Sequence, residues 1–215
     1  DEGHGKDGEY GADVEFRCEG EEEWQGQKRH ARHTAEIYHA HEAGDLRRDL
    51  SLSLGYSATR QTNEWVESRY VCKFMDVPYQ GNDASNNYPV IRYADVILMY
   101  AEALNQNGKT AEACKYLNMT RRRGFGYQTT ETSPVDLQTT DKAQFALLVE
   151  QERRVELAFE NHRWFDLIRT GRAVEVMKSK GFSLNETNLI CPIPQKQIDV
   201  NPKLTQNDYK IEPRN

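Results

Sequence analysis

Apolar side chains crowd residues 90–106, VIRYADVILMYAEALNQ, densely enough that the segment predicts a helix packed inside something. It stops at Asn107-Gly108, where glycine accepts a left-handed turn without a side-chain clash. Thr110 is placed to cap a second helix that runs to Arg123 and ends at Gly124. The two helices and their turn span about 34 residues, the tetratricopeptide period. Ile97, Tyr100, Ala101, Leu104, Gly108, Ala113 and Leu117 fit that pattern, and Ala101 and Ala113 allow close helix approach. A single such repeat cannot bury its own face, so other elements are expected to flank it.

Upstream, the periodicity changes. Residues 1–29 are rich in glycine and acid, with a charge run at Glu21, Glu22 and Glu23; only Val14, Phe16 and Cys18 alternate like a short strand. Residues 30–44 predict a short helix closing at Gly44. Leu50, Leu52, Leu54 and Tyr56 alternate with Ser51, Ser53 and Gly55, the period of a strand. After the polar link 58–63, a second strand carries Val66, Ser68, Tyr70, Cys72 and Phe74 on one face. Its other, wet face carries Trp65, Glu67, Arg69, Val71 and Lys73. Residues 78–89 read as a loop. Downstream, a loop at 124–140 leads to Asp141 and Gln144, a capping-box pattern. The helix it opens is expected to continue to Gly171, about 29 residues or ~43 Å. Its apolar positions shift face, from Leu148, Val155 and Phe159 to Leu157, Trp164 and Ile168, which predicts cover on more than one side. Pro192, Pro194 and Pro202 predict an extended tail.

Composition narrows the function classes. The 215 residues are long enough for one or two domains, and 29% are charged, with a mean hydropathy of -0.86. There is no apolar run of the ~20 residues that span a bilayer. A formal charge of -6 speaks against nucleic acid, which needs a basic face. Arg121, Arg122 and Arg123 are expected only to complement the helix dipole at a C-terminus. Cys18, Cys72, Cys114 and Cys191 lie far apart, with no CxxC pair, which speaks against a zinc ribbon or redox motif. Cys114 falls on an inward helical stripe, and disulfides among the four stay open. The first residues, DEGHGKDGEY, have neither the basic start nor the apolar segment of a signal peptide, so the chain is expected to be a piece of a longer one.

Three constellations invite a chemical reading. Glu150 and Arg154, Glu160 and Arg163, and His162 and Asp166 sit at spacings that bridge on one helix. Glu152 and Glu156 suggest a carboxylate dyad for glycoside hydrolysis. Arginines interleave them and favour ionised carboxylates, which is wrong for a general acid, so structural ion pairs between helices are expected and no catalytic residue is assigned. His30, His33, His39 and His41 bunch together, yet no HExxH occurs and His39 and His41 diverge on a helix; no metal is expected. Asn82, Asp83, Asn86 and Asn87 are read as turn formers rather than a calcium loop. Sugars stack on flat aromatic faces, and the aromatics in polar contexts are Trp65, Tyr79 and Trp24, the candidate ligand contacts. Tyr93, Tyr100, Trp164 and Phe165 fall instead on stripes expected to face the core.

Four blocks in order carry a family resemblance: RYADVILMYAEALN from Arg92, the arginine-rich helix end at 117–124, ERRVELAFENHRWFDLIR from Glu152, and PIPQKQIDVNPKLTQN from Pro192. Together they resemble the C-terminal portion of the SusD/RagB family, surface nutrient-binding lipoproteins of Bacteroidetes. The match is close over 90–209, looser over 30–49, and leaves 1–29 unplaced. The tail departs from the family with Asn207-Asp208-Tyr209 in place of Asn-Pro-Gly-Tyr and with Gln197 for the common Glu. The resemblance implies a mainly α fold, a tetratricopeptide-like helix-pair scaffold with a small β-hairpin and long irregular loops. It divides the chain into a loop- and hairpin-rich segment, 1–89, and a helical region, 90–215. It implies capture of a polysaccharide, oligosaccharide or peptide without turnover or cofactor, and handover to a SusC-like TonB-dependent transporter. It places the protein on the extracellular face of the outer membrane, held by a lipid anchor upstream of this sequence. Two alternatives remain at this point, a tetratricopeptide interaction module and a glycan-active hydrolase.

Overall fold

The computed structural model describes residues 35–57, 65–74 and 86–208. The strand expected at 14–18, His30, His33, the link 58–63 and loop residues 78–85, with Asn82 and Asp83, lie outside the described residues. After a helical stretch at 35–40 come α1 (Leu46–Ser51), β1 (Leu52–Ser57), β2 (Trp65–Val71), α2 (Tyr93–Gln106), α3 (Thr110–Gly124) and α4 (Lys142–Glu156). Then follow α5 (Arg163–Arg169), α6 (Ala173–Ser179), a 3-10 turn (Glu186–Leu189) and α7 (Gln195–Val200). The fold is mainly helical, with one two-stranded antiparallel sheet.

Helices α2 and α3 form the expected hairpin and close on α4. Leu98, Ala101, Leu104, Ala113, Cys114, Leu117, Phe145 and Val149 make one buried cluster. Ala101 and Ala113 are fully buried, which is where the small side chains let the helices approach. Polar residues tie the connecting loop to this core. The Asn118 side chain donates to the Leu137 carbonyl and accepts from its N–H, while Arg122 pairs with Asp136 at 2.5 Å. Thr110 is the first helical residue rather than the cap; its hydroxyl donates to the buried Asn105 side chain at 2.8 Å.

Several expectations need correction. Leu50 belongs to α1 and is exposed, so the strand begins at Leu52, and a bulge between Ser53 and Gly55 interrupts the alternation. The helix expected from residue 90 starts at Tyr93, because Arg92 adopts an extended backbone at its N-cap. The tail is not wholly extended: Pro194, its ring presetting a suitable φ, caps the short helix α7. Gln206 then accepts from the Ile193 N–H at 2.8 Å and donates to its carbonyl at 2.9 Å, folding the tail back on itself.

The largest correction concerns the long helix. It ends at Glu156, and after a turn in which Phe159 (φ 67°) and Asn161 (φ 63°) are left-handed, α5 sets off anew. In a continuous helix the carbonyls of Glu156 and Ala158 would accept from residues 160 and 162. Instead Lys73 Nζ donates to both, at 2.8 and 3.0 Å, and Arg92 Nη2 donates to Glu156 O at 3.0 Å. Cations from distant segments therefore consume the acceptors that would have continued the helix.

Candidate functional site

Two features surround this break, a ladder of buried carboxylates and an open groove. Glu152, Glu156 and Glu160 are each 5% exposed or less. Arg47 Nη1 lies between Glu152, at 2.5 Å, and Glu156, at 3.0 Å, while its other donors hold Asp45. Arg123 and Arg92 also reach Glu156, at 2.6 and 3.0 Å, and Arg92 and Lys73 both hold Glu160. Arg121 pairs with Glu42 and stands 3.7 Å from Glu152. On an adjacent face of α4, Arg153 joins Asp95 of α2, at 2.7 Å, to Asp166 of α5, at 2.9 Å. Arg169 continues that chain to Glu102 at 2.6 Å.

The pairing therefore runs between elements. The three pairs that the sequence spacing places along one helix are replaced by Arg154–Glu36, Glu160–Arg92 and Asp166–Arg153. The run Arg121–Arg123 does more than complement a helix end, since each member holds a carboxylate of another segment. Burial pushes the Glu156 and Glu160 carboxyls up, but their cationic partners outweigh it and hold both below the usual range. For Glu152 burial prevails over Arg47 and Arg121, and its carboxyl is raised. A raised carboxyl suits a general acid, but this one is 2% exposed and held by Arg47, so no sugar oxygen can reach it. The ladder is a fastening, with no room for chemistry.

The groove lies on the other side of the turn. It measures about 670 Å³, within the size of small-ligand pockets, and is walled by residues 35–40, the turn and helices α5 and α6. Phe159, Leu167, Val176 and Met177 give it an apolar floor. Trp164, Phe165 and Phe182 are 37%, 67% and 47% exposed at its edge. Arg154, Arg163, Lys180 and Glu36 supply its charged groups. Burial lowers the Arg163 guanidinium despite Glu150 at 3.1 Å, and the neighbouring Arg154 charge lowers it further; Glu150 also pairs with Arg172 at 3.0 Å.

Trp24 and Tyr79 lie outside the described residues, and Trp65 is placed by its backbone alone, in β2 opposite Ser57. Tyr93, Tyr100, Trp164 and Phe165, expected in the core, are exposed. Tyr93, Val96 and Tyr100 share the face of α2 opposite its buried stripe, and Tyr100 meets Tyr116 edge-on at 4.7 Å between ring centroids. Trp164 and Phe165 were misplaced because the helix was read as continuous. The shift of apolar face between Phe159 and Trp164 was the available signal of a break. His41 is buried, its Nδ1 bonded to the Ile37 carbonyl at 2.8 Å, whereas His39 points outward.

Comparison with known proteins follows the same blocks. A profile of the SusD family matches residues 19–209. SusD-like protein P38 of Formosa agariphila is 36% identical over 142 residues, covering 66% of this chain and 28% of that protein. SusD-like protein P25 of the same organism is 35% identical over 131 residues, covering 58% of this chain and 24% of that protein. This chain thus spans about a quarter of the length of such relatives. Among solved structures, a laminarin-binding SusD-like protein is 31% identical with a TM-score of 0.54, over 80% of this chain and 37% of that one. NanU of Bacteroides fragilis is 25% identical with a TM-score of 0.58, over 81% and 38%. With ordered sequence blocks, a mainly helical fold and a family profile spanning most of its length, the chain belongs to the SusD family.

Proposed function

We propose that the protein captures a polysaccharide or oligosaccharide at the cell surface and passes it, unaltered, to a SusC-like TonB-dependent transporter. The observation that carries this reading is family membership over residues 19–209. One structural neighbour, the laminarin-binding SusD-like protein, supports it by the ligand its name states. The engagement of the buried Glu152 and Glu156 carboxylates by Arg47 and Arg123 supports binding over hydrolysis. In this reading the protein sits on the extracellular face of the outer membrane, anchored by a lipid on sequence upstream. The division at residues 89 and 90 separates a loop- and hairpin-rich segment from a helical scaffold. Trp65, Tyr79 and Trp24 serve as stacking contacts.

Affinity electrophoresis through gels cast with a polysaccharide panel tests the proposal, with reducing-end staining afterwards. Retardation by one polymer without new reducing ends is expected. New ends would replace capture by hydrolysis. No retardation by any polymer would reject the glycan reading and leave a peptide ligand to be sought with the transporter as bait.

A further inference from the structure

His41 lies where a proton is hard to accommodate. It closes the helical stretch at 35–40 and is buried, with Nδ1 bonded to the Ile37 carbonyl at 2.8 Å. Its Nε2 has no hydrogen-bond partner among the described residues. A neutral imidazole leaves that nitrogen as an unused acceptor, whereas the imidazolium adds an N–H and a charge that both need partners. Asp45, the carboxylate that favours the charged ring, is already committed to Arg47. Its Oδ1 accepts from the Arg47 backbone N–H at 3.0 Å and from Nε at 2.9 Å, and its Oδ2 from Nη2 at 2.7 Å. Arg47 and Arg48 of α1 both disfavour a proton on the ring. The carboxylates around the stretch are taken as well: Glu42 by Arg121 of α3, Glu36 by Arg154 of α4, and Glu152 by Arg47. Burial then keeps the ring neutral in the closed fold.

The ties that fasten this stretch to the body are otherwise partly exposed. Glu36, 38% exposed, meets Arg154 and Lys180, and Glu42, 56% exposed, meets Arg121. Gln151 donates to the Ala40 carbonyl at 2.8 Å in an exposed place. Ion pairs in such positions contribute little, about 0–1 kcal/mol, so the seating of the stretch rests heavily on the buried His41. Gly44 follows at φ 85°, a turn at which the chain can pivot. We propose that residues 35–43 form an acid-operated latch: a proton on His41 ejects the ring, breaks its bond to Ile37 and lifts the stretch from α4 about Gly44. Glu36 then leaves Arg154 and Lys180, and Ile37 no longer walls the groove. An ejected ring titrates at its ordinary pH of ~6.5, so opening grows up to about tenfold per pH unit below it, until the seated ring itself takes the proton. The latch is independent of which ligand the protein takes.

Amide hydrogen exchange of the full chain at pH 7.5 and 5.0 tests it, read as protection factors so that the intrinsic pH dependence of exchange cancels. The wild type stands beside His41→Asn, whose amide can keep the bond to Ile37 without titrating, and His39→Asn, a control at an exposed histidine of the same stretch. Protection across residues 38–45 should fall at least about threefold on acidification in the wild type and in His39→Asn, and stay level in His41→Asn. Helices α2 and α3 should keep theirs throughout. NMR of the wild-type imidazoles gives a second reading that needs no variant, since the loss of protection should track protonation of the His41 ring. Unchanged wild-type protection at pH 5.0 would overturn the latch. So would a loss shared equally by α2 and α3, a loss that His41→Asn shows in full, or a His41 ring that takes its proton with the stretch still protected.

Discussion

Replacing Arg47 with methionine isolates the cost of breaking the carboxylate ladder. The Arg47 side chain is 9% exposed and donates to Asp45, Glu152 and Glu156. Methionine keeps much of the apolar stem, so the loss is chiefly electrostatic. Glu152, 2% exposed, keeps only Arg121 at 3.7 Å, and Glu156 keeps Arg92 and Arg123. Removing one partner of a buried pair costs about 3–5 kcal/mol, because the other charge stays desolvated. Against a total stability of about 5–15 kcal/mol, that is a large fraction. Glu152→Gln should cost less, about 1–2 kcal/mol, since the amide oxygen can still accept from Arg47 and no buried charge is orphaned.

The double variant decides the matter. If the penalty of Arg47→Met is the unpaired Glu152 carboxylate, adding Glu152→Gln removes its cause. The double variant should then be more stable than additivity predicts, by about 1–3 kcal/mol. Urea unfolding followed by far-UV circular dichroism at pH 7 measures all four proteins, with unchanged slopes required for comparison. The pH dependence gives a second reading. Burial already raises Glu152, and losing Arg47 raises it further. A group whose folded pKa lies above its unfolded value favours the folded state at low pH and loses that advantage as pH rises. The Arg47→Met penalty should therefore shrink on acidification from pH 7 toward the carboxylate range. An Arg47→Met cost below about 1 kcal/mol, or additivity within about 0.5 kcal/mol, would refute the coupled ladder.

Three further outcomes are expected. A Cβ added at Gly124 would lie 2.6 Å from Arg47 Cζ, so Gly124→Ala should shift the guanidinium within its clamp and lengthen its bonds. A net loss of about 1–3 kcal/mol in urea unfolding is expected from the overpacking, despite the ~0.5–1 kcal/mol that alanine gains in a helix. Asn161, exposed with φ 63°, should tolerate glycine within about 0.5 kcal/mol, whereas valine should cost about 1–2 kcal/mol, compared by thermal melts. Burial lowers His41, whose Nε2 has no hydrogen-bond partner among the described residues, so its stabilising contribution is complete above pH ~6.5 and is lost as pH falls through the folded pKa. His41→Asn, whose amide can replace Nδ1 as donor to Ile37, should flatten the stability profile between pH 7 and 5; an unchanged slope would exclude His41 as its source.

The parts of the fold that depend on local pattern were legible. The stripe Leu98, Ala101, Leu104 and the facing Ala113, Leu117 follow from helical spacing, and Gly108 and Gly124 mark the helix ends. The break after Glu156 was not legible, because Lys73, which takes its carbonyl, lies 83 residues earlier. Neither was the exposure of Tyr93 and Tyr100, since periodicity identifies apolar faces without saying which has a neighbour. For the candidate site, the aromatic criterion was sound but the placement was wrong. Trp164 was discounted because a continuous helix would have turned it inward. The ionic residues were legible as structural pairs between helices, but the partners of Glu152, Glu156 and Glu160, namely Arg47, Lys73 and Arg92, come from segments that only tertiary structure brings near.

The ladder and the groove are mechanically one object. A phenylalanine at φ 67° is uncommon and costs on the order of 1–3 kcal/mol, so its surroundings must hold it there. The holding groups are Lys73 and Arg92, which take the Glu156 and Ala158 carbonyls on one side while Glu160 is pinned between the same two cations. With that side fastened, Phe159 and Asn161 are delivered to the groove on the other. Arg153 performs the matching task for α5, since its bonds to Asp95 and Asp166 fix the helix that carries Trp164 and Phe165. Buried ion pairs contribute little net stability compared with apolar packing, yet they specify geometry when every partner is satisfied. Here the geometry they specify is the angle between α4 and α5, and that angle opens the groove.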